Sequence, residues 1–533
     1  MTALAESPAP EWLQPTFQIT SGDDPLALGT ITIFRILPRL VPGILANTRR
    51  ARYLSFFLWV LRRFAEQRRT PTNRALSDFI KRYEYDFALA VLMCPRECGS
   101  SPLGSQVTRP IVRRNPAVFD RGESVKSPLG GYGLYYRTTL RALGLVAGAG
   151  TELGDDLTPV DLVRPDSPEA LHLADLFGTS VDDTTYVRRY ADAAKSIPRE
   201  VLQEYATNAC LCQLDSRPNE RDALKRALLF PGSGREQRDV DTRREAFAFF
   251  LQLLTNNSSA GDSDHDLRAA VWRTFEKRDR FSSEFRSVLA RWSALAATHG
   301  FYRSIHMLWT SVGPLLRDAD KGDGLSRDGL EKAVATLADA GQVRLPNRSF
   351  RFSASRPTAD LLTAVAGDKA QLPDFVEWAR ENDDAARALT LMLATYTRLP
   401  KTDSVEQGWT EIGSVNGEHQ PGLLHMALLI SQHLNEQPSI AATLNWAVRT
   451  FVLSPHEEVA QTKFPEFTFR FRWEGGRLRF YPSPELHYEI PALGDIRSSS
   501  LSSLSEDLGF CEPGKDGRRL TQPGKAFVRE VLG

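Results

Sequence analysis

The chain has 533 residues, 42% of them apolar and 25% charged, with 66 Lys plus Arg against 66 Asp plus Glu. Such a length implies about three or four domains with ample core, so neither disulfides nor metal staples are needed on grounds of size. The neutral balance excludes a protein that coats nucleic acid over its whole surface; any such role must rest on local basic patches.

The opening MTALAESPAPEW has no basic segment followed by an apolar run. The most apolar stretch, Tyr53 to Leu61, is far shorter than the roughly 20 residues of a bilayer span. The expectation is a cytoplasmic protein with no membrane contact. Residues 1–30 read as a loose arm, Ile31 to Val41 as a short apolar segment, and Pro42-Gly43 as a turn. Asn47 or Thr48 is placed to cap a long helix over Arg49 to Arg68. Tyr53, Phe56, Phe57, Val60, Leu61 and Phe64 recur at helical spacing, and Leu54, Leu58 and Trp59 widen the stripe.

A second helix is expected over Ala75 to Met93, then an extended loop over Cys94 to Gly133. Tyr135 to Val146 reads as a helix that stops at Gly144 and turns into a strand. Leu157-Thr158-Pro159 then reads as the return strand of a wing. Residues 165–300 are expected to be helical, with breaks at 216–219, 231–234 and 256–264, the last a flexible loop by composition. The helix-then-wing pattern repeats over 301–357: Arg327 to Ala340, Gly341, then two short strands around Pro346-Asn347. Residues 358–460 are again helical.

Near the C-terminus Phe467, Phe469, Phe471 and Trp473 alternate with Thr468, Arg470 and Arg472. After Glu474-Gly475-Gly476, Leu478 and Phe480 alternate with Arg477, Arg479 and Tyr481. This is a hairpin with a basic face. Asp495 to Leu508 reads as a helix ended by Gly509, followed by strand, turn, strand and a last helix. The fold class is therefore mainly α: a multidomain helical protein whose winged-helix-like modules carry small β-hairpins. The expected segments are 1–165, helical with a winged-helix-like end; 166–300, helical; 301–357, a second such module; 358–460, a helical connector; and 461–533, the basic hairpin plus a C-terminal winged helix.

Two segments, RALGLV with DLTP and SEDLGFCEPGKDGRRLTQPGKAFVREVL, resemble the helix-LGL-wing-LT-x-x-G signature of bacterial winged-helix domains. The second matches throughout; in the first, Val160-Asp161 stand where the signature has its glycine. The run LVPGILANTRRARYLSFFLWVL resembles the opening of uncharacterised bacterial proteins found among phage-defence and mobile-element genes. These resemblances imply a module that binds DNA or protein, inside a multi-component defence system. They supply no catalytic residue.

Asn47 to Arg69 contains seven arginines and one glutamate, and Arg forks suit phosphate oxygens. Arg49, Arg50, Arg52, Arg62 and Arg63 are thus candidate nucleic-acid ligands, weighed against pairing with carboxylates elsewhere. Arg470, Arg472, Arg477 and Arg479 are candidates on the hairpin, weighed against cross-strand pairing with Glu474 or packing against the acidic segment Asp374 to Asp384. Arg497, at the start of the would-be recognition helix, and Arg518, Arg519 and Lys525, on and after the wing, complete the set.

The five cysteines are Cys94, Cys98, Cys210, Cys212 and Cys511. C-x3-C and C-x-C depart from zinc spacing, and Cys210 and Cys212 read as mid-helix residues roughly 200° apart. Buried free thiols are therefore expected over a metal site. DADKGDG lacks the glycine and glutamate of a calcium loop, and His265-Asp266 lacks companion ligands. No phosphate loop, nucleophile elbow or zincin motif is found. The expected function is a non-enzymatic nucleic-acid-binding or adaptor subunit, binding DNA through arginines and partnered by an ATPase or nuclease, with no cofactor. The alternatives are a protein-interaction scaffold without nucleic-acid affinity and an enzyme of unrecognised type.

Overall fold

The computed structural model describes residues 24–533 apart from 68–70, 154–155, 193–194, 231–235, 320–322, 383, 401–406, 464–467, 482–492 and 516. The protein is mainly α, and every sheet among the described residues is a two-stranded antiparallel pair. The five consecutive segments expected from the sequence are distributed over two units, each discontinuous in the chain. One comprises Met1–Pro38 and Arg268–Ile496, the other Arg39–Leu267 and Arg497–Gly533.

The second unit is organised on the helix Arg52–Glu66. Its predicted stripe is buried: Tyr53, Phe56, Phe57, Val60, Leu61 and Phe64 are at most 2% exposed. Leu54, Leu58 and Trp59 are buried as well, so the helix is enclosed on all sides as far as Leu61, as an apolar circumference requires. Phe56 stacks on Phe87 at 4.2 Å between centroids, and Phe177 meets Phe56 edge-on at 5.6 Å. The cap is not Asn47 or Thr48. Thr48 instead meets the Thr139 hydroxyl at 2.8 Å, and the N–H of Ala51, the residue in the cap position, donates to the Asp507 carboxylate at 2.7 Å. A residue from the end of the chain thus satisfies an orphan donor at this helix start.

The second helix, Asn73–Leu92, is capped by Thr72. The segment beyond it is not an extended loop. Ser105–Arg113 is a helix, Val118–Asp120 is a strand paired with Ser196–Pro198, and Tyr132–Tyr136 is a π-turn. The local Pro and Gly signals are real, but Glu84 gathers this segment inward, accepting from Ser124 Oγ at 2.7 Å and Tyr132 N at 3.1 Å. The Asn256 to Asp264 stretch likewise holds a 3-10 turn, Ser258–Gly261, with Ala260 fully buried.

Helix Arg137–Ala142 ends at Gly144, whose φ is +64°. Val146–Ala147 then pairs with Leu162–Val163, and Glu152–Leu153 with Asp156–Leu157. The C-terminal part runs helix Ser498–Asp507, Gly509 at φ +73°, strands Cys511–Gly514 and Gly517–Leu520, and helix Gln522–Leu532. Thr521 Oγ1 caps that helix by accepting Gly524 N at 3.2 Å, and Phe510 stacks on Phe527 at 4.7 Å.

The first unit is built on a 37-residue helix, Ser283–Ala319. The segment boundary drawn at residue 300 falls inside it. Gly300 breaks nothing: it lets Thr395 approach, since a Cβ there would lie 2.7 Å from Thr395 Oγ1. The chain from Asp24 is no loose arm either, because Leu26 and Leu28 are fully buried. His456 ties this stretch down: its Nδ1 lies 3.1 Å from the Pro25 carbonyl, while its Nε2 accepts from Arg470 N at 2.9 Å. Burial holds this histidine down to about 3, so it is neutral with the proton on Nδ1. Helix Arg327–Leu337 with strands Gly341–Arg344 and Ser349–Phe352 comes next, and then helices to Thr462. No described helix is long and apolar enough to cross a membrane.

Candidate metal centre and the predicted basic surfaces

The arginines singled out in the sequence have, for the most part, internal work. Arg52 is fully buried and pairs with Glu220 at 3.2 Å. Arg50 pairs with Asp507 at 3.0 Å. Arg62 bonds Glu66 at 2.9 Å and also Asp175. Arg63 bonds Asp192 at 2.8 Å and lies over the Trp59 ring. Distant carboxylates therefore answer Arg50, Arg52, Arg62 and Arg63 of the first helix.

On the hairpin, Arg479 stands opposite Arg472, and the two flank Glu474 at 3.7 and 3.9 Å. Arg470 is buried, and Arg477 donates to the Asp323 and Gly324 carbonyls at 2.7 and 2.8 Å. Gly475 and Gly476 both take positive φ, as a two-residue turn of this hand demands. Phe467 lies outside the described residues. In the C-terminal module Arg497 is buried, Arg518 bonds Glu506 and Asp262, both within 2.8 Å, and Arg519 bonds Glu512 at 2.8 Å. Arg49 and Lys525 remain exposed with no carboxylate partner among the described residues.

A different basic element was hidden by reading Cys94 to Gly133 as a loop. Helix Ser105–Arg113 exposes Arg109 and Arg113 one turn apart, with Arg114 next in line. No carboxylate pairs with any of them among the described residues. The run TRPIVRR carries the basic signal, while Pro110 inside it is unfavourable to a helix interior.

The structure brings together four residues that the sequence had set apart. Cys94, Cys98, Cys210 and Cys212 place their sulfurs within 4.8 Å of one another. Two contacts, Cys94 to Cys212 and Cys98 to Cys210, are 3.6 Å. The expectation that Cys210 and Cys212 sit mid-helix on opposite faces is overturned. Helix Arg199–Ala209 stops at Cys210, whose ψ of 145° is extended, and a 3-10 turn Leu211–Ser216 comes directly after it. At the break, Arg52 donates to the Cys210 carbonyl, which also accepts Gln213 N at 2.9 Å as the first bond of the 3-10 turn.

The other pair sits on a turn just past helix Asn73–Leu92. Glu97 N bonds the Cys94 carbonyl at 2.9 Å, and Glu97 and Gly99 adopt positive φ. Ser100 Oγ lies 3.2 Å from the Cys98 sulfur and accepts from Arg50 at 3.2 Å. Burial alone would raise the Cys98 thiol, but the Ser100 hydroxyl and amide bring it down to about 7. Burial pushes Cys212 up to about 12 and raises Cys210 further. Cys511 is buried and stands apart from this cluster.

No family model, curated protein or solved structure matches this chain.

Proposed function

We propose that the protein is an adaptor subunit of a multi-component bacterial system, of the kind that defends against phage, with an ATPase or nuclease acting in trans. Its C-terminal winged-helix-like module serves as an internal fastening. The observation that carries this reading is the burial of the helix in the recognition position. Ser498, Ser500, Leu501, Ser502, Leu504 and Ser505 are all covered. Ser500 Oγ donates to the Leu45 and Ala46 carbonyls at 2.8 Å, and Asp507 holds Arg50. A helix that reads DNA must leave such a face open to the major groove.

The partner's place is the open groove of about 710 Å³ lined by Glu331, Lys332, Asn445, Trp446 and Arg449. Aromatic and arginine side chains dominate protein-binding energetics. Tagged protein purified from its host should bring down a defined partner, and Lys332→Glu with Arg449→Glu should remove it. Retention of that partner by a folded double variant would refute the groove as its site.

The exposed Arg109, Arg113 and Arg114 favour a second reading, in which the adaptor also holds a nucleic-acid backbone. Three phosphate contacts predict that affinity for duplex DNA falls roughly 40-fold between about 50 and about 200 mM salt. Fluorescence anisotropy with Arg109→Glu/Arg113→Glu should show that salt dependence cut to roughly 3-fold or less, the share of the one remaining contact. A salt-insensitive affinity would dismiss phosphate binding.

A further inference from the structure

We propose that Cys94, Cys98, Cys210 and Cys212 form a closed structural site for one zinc ion, bound as a tetrathiolate. A tetrahedron with Zn–S bonds of about 2.3 Å has S–S edges of about 3.8 Å. Two of the separations are 3.6 Å and none exceeds 4.8 Å, which surrounds that value. An iron–sulfur cluster distributes its thiolates over different irons and spreads the sulfurs further, so the spacing selects a single ion. Four protein sulfurs fill the tetrahedron and leave no position for water or substrate, which makes the site structural.

The surroundings are prepared for thiolates. The amide of Ser100 is directed at the Cys98 sulfur, and that of Cys212 at Cys210. The Cys98 thiol lies 3.2 Å from Ser100 Oγ, and once it is a thiolate the Ser100 hydroxyl, which accepts from Arg50, can turn its own proton to it. Such outer hydrogen bonds orient ligands and offset the negative charge that four thiolates bring to one divalent ion. Chain spacing conceals the site because each pair is short and irregular, while the ligands that meet are 112 and 118 residues apart.

The ion would fasten the end of helix Asn73–Leu92 to the end of helix Arg199–Ala209. Through Ser100 and Arg50 the fastening continues to Asp507 of the C-terminal module. Zinc release would therefore loosen the covered helix Ser498–Asp507 as well as the cysteine turns.

The test is metal analysis of the full chain purified without added metal. About one zinc per chain is expected in the wild type and in Cys511→Ser, and less than a tenth of that in Cys94→Ser/Cys212→Ser. If the double variant does not fold, the wild type decides. A mercurial titration read by a metallochromic dye should release the zinc as four thiols are consumed, and cobalt(II) exchange should give the absorption of a tetrahedral thiolate complex. Wild-type protein that is zinc-free with four freely reactive thiols would overturn the proposal. So would a mass showing disulfides within the cluster, or stoichiometric iron in place of zinc.

Discussion

Arg52→Ala is expected to destabilise the protein by about 3–5 kcal/mol, the usual result of removing one member of a buried ion pair. Both side chains are at most 2% exposed, and the guanidinium meets both carboxylate oxygens of Glu220 at 3.2 Å. Without it, Glu220 would be left buried with the Ser55 hydroxyl, now at 2.6 Å, as its remaining donor. The Cys210 carbonyl would lose its guanidinium, and the cation would vanish from above the Phe177 ring. Urea unfolding measures the loss. Arg52→Met/Glu220→Leu should recover more than half of it, because an apolar pair of similar volume removes both charges at once. A loss under about 1 kcal/mol in the single variant would mean that water reaches Glu220, and that the pair behaves as a surface one. The same experiment separates two roles for this arginine. A phosphate ligand, replaced, weakens DNA binding and leaves stability nearly untouched; the buried partner of Glu220 does the reverse.

The helix carrying Arg52 was legible in the sequence, since Tyr53 through Phe64 repeat with the helical period and Leu54, Leu58 and Trp59 extend the apolar surface around it. The hairpin at Gly475-Gly476 and the order of elements after Ser498 were legible for the same reason: turn chemistry and side-chain alternation are local. The fate of the arginines was not local. Their carboxylates lie far along the chain, Asp192 129, Glu220 168 and Asp507 457 residues from the arginines they hold. A run rich in arginine therefore looked like a surface when its members were answered from elsewhere. The cysteine cluster failed to show for a related reason. Cys210-Leu-Cys212 sits where propensity continues a helix, whereas the chain turns extended at Cys210, whose carbonyl takes a guanidinium from 158 residues away. Motif spacings record sites built on one hairpin or one helix; this one is assembled by tertiary contacts between two.

Glu84 should contribute a fall in stability as pH rises from about 4.5 to beyond 7, opposed by the buried neutral His456, and Glu84→Gln should remove that contribution. Glu84 is 1% exposed. Burial raises its carboxyl to about 7, against the hydrogen bonds from Ser124, Tyr132 and Gly131 that favour the charged form. The folded value lies above the unfolded one, so the native state holds the proton more tightly. Raising the pH through this interval strips a proton that folding favours, which lowers stability by roughly 3 kcal/mol in all. Asp86, raised by its own burial to about 6 despite Arg121 and the Tyr186 hydroxyl, adds a slope of the same sign at lower pH and survives the substitution. Glutamine keeps the shape and an acceptor for the two amides, while the Ser124 hydroxyl can turn to accept from its NH2. Glu84→Gln should therefore match the wild type near about pH 5 and exceed it near about pH 8, measured by urea unfolding across that range. Parallel curves for the two proteins would show that Glu84 ionises as an ordinary carboxylate and that its cradle of amides outweighs its burial.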